Sequence, residues 1–108
     1  MSRVYIFKAK MHDTNTWIYK VGKASGKNSV DRLLQVARSF LMKYRYMPLM
    51  TIKRDRSCSN AFEIETALHQ HFKEFSYYHD KKIDGFSEWF KCEEDQLLKV
   101  YDELIPSK

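Results

Sequence analysis

The chain opens with Val4-Tyr5-Ile6-Phe7-Lys8-Ala9-Lys10, a run rich in β-branched and aromatic side chains. Thr16-Trp17-Ile18-Tyr19-Lys20-Val21-Gly22 repeats that texture after the polar stretch His12-Asp13-Thr14-Asn15. Such side chains pack well on a pleated, half-buried surface, so the two segments read as the strands of a hairpin. A loop through Gly22 and Gly26 follows. Val30, Leu33, Leu34, Ala37 and Leu41 then recur at the three- and four-residue spacing of one helix face. Asn28 or Ser29 is placed to cap this helix, because a short polar side chain there satisfies amides that the first turn leaves open. Pro48 closes the irregular stretch, and Leu49-Met50-Thr51-Ile52-Lys53 reads as a third short strand.

From about Asn60, the residues Ala61, Ile64, Ala67, Leu68, Phe72 and Phe75 form the apolar stripe of a second helix, and Asn60 with Glu63 has capping-box spacing. A polar and aromatic loop through Tyr77, Tyr78, His79 and Gly85 leads to Phe86-Ser87-Glu88-Trp89-Phe90. Leu97, Leu98, Tyr101, Leu104 and Ile105 mark a closing helix. The order β-β-α-β-α-(β)-α predicts an α+β fold, a small antiparallel sheet of about three strands flanked by three or more helices. At 108 residues the chain supports one core and is expected to form a single domain, with the closing helix at about 93–105.

Composition narrows the class. Apolar residues at 44% and charged residues at 31% exclude disordered, collagenous and coiled-coil chains. No run approaches the roughly 18 apolar residues of a membrane span, and Met1-Ser2-Arg3-Val4-Tyr5 lacks a signal peptide's apolar stretch; a cytoplasmic location is expected. Cys58 and Cys92 stand far apart with no partners at metal spacing, which points to reduced structural thiols rather than zinc. A net charge of +5 favours polyanionic partners, though only weakly by itself. Lys43-Tyr44-Arg45-Tyr46 and Lys53-Arg54-Asp55-Arg56 have the look of nucleic-acid surfaces and equally of solvated faces. The acidic Glu93, Glu94, Asp95, Asp102 and Glu103 are expected to face away from a polyanion.

The sequence holds no Walker-type loop, no HExxH, no GxSxG and no CxxC. Its candidate chemistry is dispersed over Tyr5, Lys20-Val21-Gly22, Arg32, and Glu65 with His69. In order, Arg3-Val4-Tyr5, Tyr19-Lys20-Val21-Gly22, Arg32, Glu65 within Ala61-Phe62-Glu63-Ile64-Glu65-Thr66-Ala67-Leu68-His69, and Ser87-Glu88-Trp89-Phe90 resemble the GIY-YIG nucleases, within them the small phage-borne branch with a Glu-Trp-Phe signature. The resemblance spans about residues 3–90. Arg3 stands where the family has its first glycine, and Lys20 stands at a tyrosine position, with Tyr19 just before it.

What the resemblance implies is a GIY-YIG-like sandwich and a metal-dependent endonuclease that nicks double-stranded DNA, one strand per active site, as a monomer or homodimer in a host cell's cytoplasm. The alternative is a catalytically silent nucleic-acid-binding module on the same fold. The implied cofactor is one Mg²⁺ or Mn²⁺ per site, with Glu65 as its sole protein ligand and Glu63 as the rival position. Arg32 would grip a phosphate bidentately. Tyr5 would take a proton from water, which requires a phenol brought below its ordinary value near 10, and an ammonium at Lys20 acts in that direction. Lys23 and Lys27, with Arg38, Lys43 and Arg45, are the candidate nucleic-acid contacts. His69, one helical turn from Glu65, is a candidate orienter, proton donor or DNA contact, and His71 competes with it. Glu88-Trp89-Phe90 reads as architectural before it reads as part of a site.

Overall fold

A computed structural model describes residues 2–11, 16–79, 81, 83 and 87–106. The turn expected at His12-Asp13-Thr14-Asn15, and Gly85 and Phe86, lie outside the described residues. β1 (Ser2–Met11) and β2 (Thr16–Ser25) pair antiparallel in unbroken register from Ser2 with Ser25 to Met11 with Thr16. The hairpin is therefore longer than its apolar texture suggests, and β2 continues through Gly22. β3 (Leu49–Ser57) pairs with β1, and β4 (Trp89–Phe90) with β2, giving a four-stranded antiparallel sheet in the order β3-β1-β2-β4. The α+β architecture agrees with expectation, with one strand more than the three read from the sequence.

Alternation along β1 and β2 sends side chains to both faces, and both are covered. On one face Val4, Ile6, Tyr19 and Val21 pack with Ala61, Ile64, Leu68 and Phe72 of the α2 region and with Leu97, Tyr101 and Ile105 of the α3 region. Here α2 is Ala61–His71 and α3 is Glu94–Leu104. On the other, Ala9, Met11 and Ile18 meet Val36 and Phe40 of α1 (Val30–Tyr44), together with Trp89 and Ile83. Tyr5, Phe7, Lys20 and Gly22 share the α1 face by the same alternation.

The helical stripes differ from their sequence patterns. α1 buries Val36, Ala37 and Phe40, while Val30, Leu34 and Leu41 are exposed. The Phe40 ring meets Trp89 edge-on at 5.7 Å on the side of α1 that faces the sheet. On α2 the buried set is Ala61, Ile64, Glu65 and Leu68; Ala67 is exposed, so a carboxylate lies inside where an apolar pattern looked for alanine.

The caps also differ. Asn28 Oδ1 accepts the Val30 amide at 3.0 Å. Ser29 occupies the cap position, yet its amide and hydroxyl both donate to Asp55 Oδ2, at 2.8 and 2.7 Å. Asn60 makes no side-chain cap bond, so the Asn60–Glu63 box does not form.

The run Lys53-Arg54-Asp55-Arg56 is neither a free basic patch nor a loop. It lies within β3, where Arg54 holds Asp102 of α3 through two bonds at 2.9 and 3.0 Å and Arg56 holds it at 2.8 Å. Glu94 of α3 takes Lys8 at 2.7 Å and Lys53 at 3.6 Å. Both cysteines are free thiols, and burial pushes the Cys92 thiol up to about 11. Among the described residues no helix is long and apolar enough to cross a membrane.

Arg3 has a structural use. Its Nε donates to Asp55 Oδ1 at 2.6 Å and one guanidinium nitrogen donates to the Gly26 carbonyl at 3.4 Å, so Arg3, Asp55 and Ser29 tie the start of α1 to β1 and β3. Burial pushes the Asp55 carboxyl up, but the bonds from Arg3 and Ser29 outweigh it and hold it below the ordinary carboxylate value. A depressed carboxyl contributes stability above its unfolded value, near 3.9, and loses it as pH falls through the folded value. Asp55→Asn should therefore lower stability at pH 7 by about 1–3 kcal/mol in denaturant unfolding. Its deficit against the wild type should shrink as the pH drops below about 4; a deficit that stays constant down to low pH would contradict the assignment.

Candidate active site

The site begins with the hairpin register. Tyr5 lies opposite Gly22 and Phe7 opposite Lys20, and the Tyr5 and Phe7 rings stack at 4.0 Å. Lys20 has 0% exposure in the middle of β2. A buried ammonium is tolerated only with hydrogen-bonded partners, and it has two: Nζ donates to Tyr5 Oη at 2.7 Å and to Glu88 Oε1 at 2.6 Å. Glu88 is held in turn by its backbone, whose carbonyl accepts the Val21 amide at 3.0 Å just ahead of β4. Gly22 makes room for this arrangement. A Cβ there would come within 2.5 Å of Tyr5 Cζ and 3.0 Å of Lys20 Nζ.

α1 brings Arg32 to the same oxygen. Its Nε donates to Tyr5 Oη at 3.4 Å, and another guanidinium nitrogen donates to Gln35 Oε1 at 2.9 Å. Negative charge developing on the Tyr5 oxygen is thus faced by two cationic donors.

α2 supplies the remaining groups. His69 Nε2 lies 2.8 Å from the Val21 carbonyl. A carbonyl only accepts, so Nε2 carries the hydrogen, and the tautomer with its lone pair on Nδ1 is the one that can also accept or ligate. Glu65, only 9% exposed, has a buried Oε2 that makes no hydrogen bond among the described residues. Glu65, His69 and Glu88 each offer a ligand atom, and these atoms lie within 4.8 Å of one another, a group able to hold a metal ion. Burial pushes the Glu65 carboxyl up and the neighbouring Glu88 adds to this, while His69, Lys23 and Lys20 pull it down in part. An orphaned buried carboxylate oxygen, a second carboxylate and an imidazole form a donor set able to hold a divalent cation.

The structure therefore brings together Tyr5, Lys20, Arg32, Glu65 and His69. Glu63 is exposed, and His71 is exposed with its ring 4.8 Å from Phe72. Lys23 is exposed on β2, close enough to act on Glu65. Lys27 is exposed in the loop before α1. Arg38 and Lys43 line a groove of about 270 Å³ on α1 with Gln35, Ser39 and Met42. That groove starts at the partner of Arg32, so these two residues extend away from the cluster rather than joining it. Arg45 is exposed at the left-handed end of α1, with φ 64°.

Glu88 is the residue that an architectural reading of Glu88-Trp89-Phe90 passes over, and it means that Glu65 does not stand alone as a carboxylate. A signal existed. Lys20 sits between Tyr19 and Val21 in a strand apolar on both sides, and a buried ammonium there requires an anion from another segment. A Cβ at residue 22 has no free space, so Gly22→Ala should lower the unfolding midpoint by the equivalent of about 1–3 kcal/mol. An unchanged midpoint in urea would contradict the close approach of the Tyr5 ring to residue 22.

A family model, the T5orf172 domain, matches residues 2–105. Neither a curated protein nor a solved structure matches the chain. The matched span takes in every strand and helix described above and the whole cluster from Tyr5 to Glu88. On that coverage the chain belongs to the T5orf172 domain family.

Proposed function

We propose that the protein is a metal-dependent endonuclease that hydrolyses phosphodiester bonds in double-stranded DNA, one strand per site, on a GIY-YIG-like fold. The T5orf172 match supports a phage-associated, nuclease-like reading. The observation that carries the proposal is the meeting of Glu65, His69 and Glu88 within 4.8 Å, with Glu88 bonded to a Lys20 that also holds Tyr5.

Glu65 and Glu88, with His69 through Nδ1, would hold one Mg²⁺ or Mn²⁺, which when bound supplies charge neutralisation at the phosphate. Arg32 stays charged at any working pH and offers a planar fork to the phosphate oxygens, so negative charge gathered in the transition state meets a fixed donor. Tyr5 acts as a phenolate faced by Lys20 and Arg32; its Oη takes the proton of the attacking water and becomes a neutral phenol while the water oxygen bonds to phosphorus. The bond from phosphorus to the 3′ oxygen breaks, and the departing oxygen takes a proton from solvent. Lys23, Lys27, Arg38, Lys43 and Arg45 bind flanking phosphates, the α1 groove carrying the strand away from Arg32. One chain acting alone nicks, and a double-strand break requires a second copy or a second visit.

A second reading concerns the proton acceptor only. Tyr5 has 0% exposure, whereas His69 is partly exposed with a tautomer fixed by Val21. In that reading His69 Nδ1 takes the proton rather than a metal, and Tyr5 with Lys20 positions Arg32 and Glu88.

Supercoiled plasmid incubated with Mg²⁺ or Mn²⁺ should convert to the open-circular form. Glu65→Ala and Arg32→Ala should each slow conversion by about a hundredfold or more. Tyr5→Phe should abolish nicking and leave salt-dependent DNA binding nearly intact; full activity in Tyr5→Phe with loss in His69→Ala transfers the base to His69. Binding of plasmid with no conversion under any divalent ion would leave the silent module as the function.

A further inference from the structure

At the far end of the hairpin from Gly22 stands an aromatic and basic surface that the nuclease site does not use. Trp17 of β2 is 38% exposed, while Trp89, the other of two tryptophans in the chain, is fully buried. Lys10 is the cross-strand partner of Trp17 on β1, and its ammonium lies 5.6 Å from the indole centroid; that of Lys8 lies at 4.4 Å. The indole also lines a cavity of about 490 Å³ with Thr16, Phe75, Lys91, Cys92 and Glu93. Phe75, on the short turn of helix after α2, is 40% exposed there, and its carbonyl accepts the Lys91 amide at 2.8 Å. Two half-exposed aromatic rings therefore border one cavity, and that cavity is bordered by lysine.

We infer that this surface binds a single-stranded stretch of nucleic acid by stacking a base on Trp17, with Phe75 bordering the same space and Lys10 and Lys91 meeting the adjacent phosphates. A base has an apolar π face and a charged backbone on either side of it, which is the chemistry of an indole flanked by ammonium groups. Charge selects this occupant over an apolar peptide. Glu94 of α3 is already engaged by Lys8, Lys53 and the Tyr19 hydroxyl at 3.1 Å, and among the described residues Glu93 is the one carboxylate residue that lines the cavity, beside Lys91. Alternation puts Trp17 on the same sheet face as Tyr19 and Val21, the face covered by α2 with its Glu65 and His69. Trp17 precedes Val21, the anchor of His69, by four residues, roughly 13 Å along the strand and about four base steps at B-form rise. That span puts the platform within reach of a strand end that has frayed from its complement beside the cut. It rests on the nucleic-acid reading above but not on cleavage.

The test is binding of an oligothymidylate of about ten nucleotides in the presence of EDTA, followed by tryptophan fluorescence. Quenching is expected in the wild type, because the exposed indole is the one a base can reach. Trp17→Ala should weaken binding roughly tenfold or more in a competition assay with a labelled oligonucleotide, and Trp17→Phe should restore most of it. Lys10→Ala with Lys91→Ala should flatten the dependence of affinity on salt while the quenching amplitude at saturation persists. Equal affinity in Trp17→Ala and wild type, or absence of quenching at saturation, overturns the platform. Because no metal is present, quenching in a protein that never nicks plasmid would overturn the nuclease and keep the platform, whereas nicking without quenching would do the reverse.

Discussion

A single ammonium group holds the site to the fold. Lys20 is fully buried, and stripping a lysine of water costs several kcal/mol unless its charge is met by well-placed partners. Its partners are the Tyr5 hydroxyl on β1 and the Glu88 carboxylate ahead of β4. The bond to Glu88 fixes the approach to the edge strand, and the Val21 amide completes that approach through the Glu88 carbonyl. The bond to Tyr5 fixes the phenol over Gly22, where no side chain could fit beside it. Arg32 reaches that phenol from one face of the sheet, while α2 presents Glu65 and His69 from the other.

The rest of the charge is arranged so that this edge keeps its character. Lys8, Lys53, Arg54 and Arg56 are engaged by Glu94 and Asp102, so the basic run of β3 and the acid-rich α3 neutralise one another. Lys23, Lys27, Arg38, Lys43 and Arg45 remain exposed on β2, on the loop that follows it, and along α1. Arg3, which departs from the glycine of the resembled family, contributes to position rather than to charge: with Asp55 it fastens the loop from which α1 starts, and so the helix that carries Arg32.

Much of the architecture was legible in the residues, because strand texture and helical periodicity are local properties. The hairpin, both later helices and the α+β class follow from β-branched and aromatic runs set against three- and four-residue spacing. What was not legible depends on partners far away in sequence. Ser29 looks like a cap and is instead bound to Asp55, and the Lys53–Arg56 run looks like a docking surface until α3 is laid across it. Glu65 interrupts an apolar stripe, and only packing shows that it lies inside. Of the cluster, Tyr5, Lys20, Arg32, Glu65 and His69 were suggested by their order along the chain. Glu88 was not, since its local pattern with Trp89 and Phe90 fits a core edge equally well; the need of Lys20 for an anion was the available clue.

The account stands on Glu65, His69 and Glu88 acting as one divalent-cation site. Calorimetric titration of the purified chain with Mn²⁺ addresses this without any substrate. The arrangement predicts about one ion per chain, with affinity reduced at least tenfold in Glu65→Gln and again in Glu88→Gln, each folded by circular dichroism. Equal binding in the wild type and both variants, or none in any of them, would contradict it.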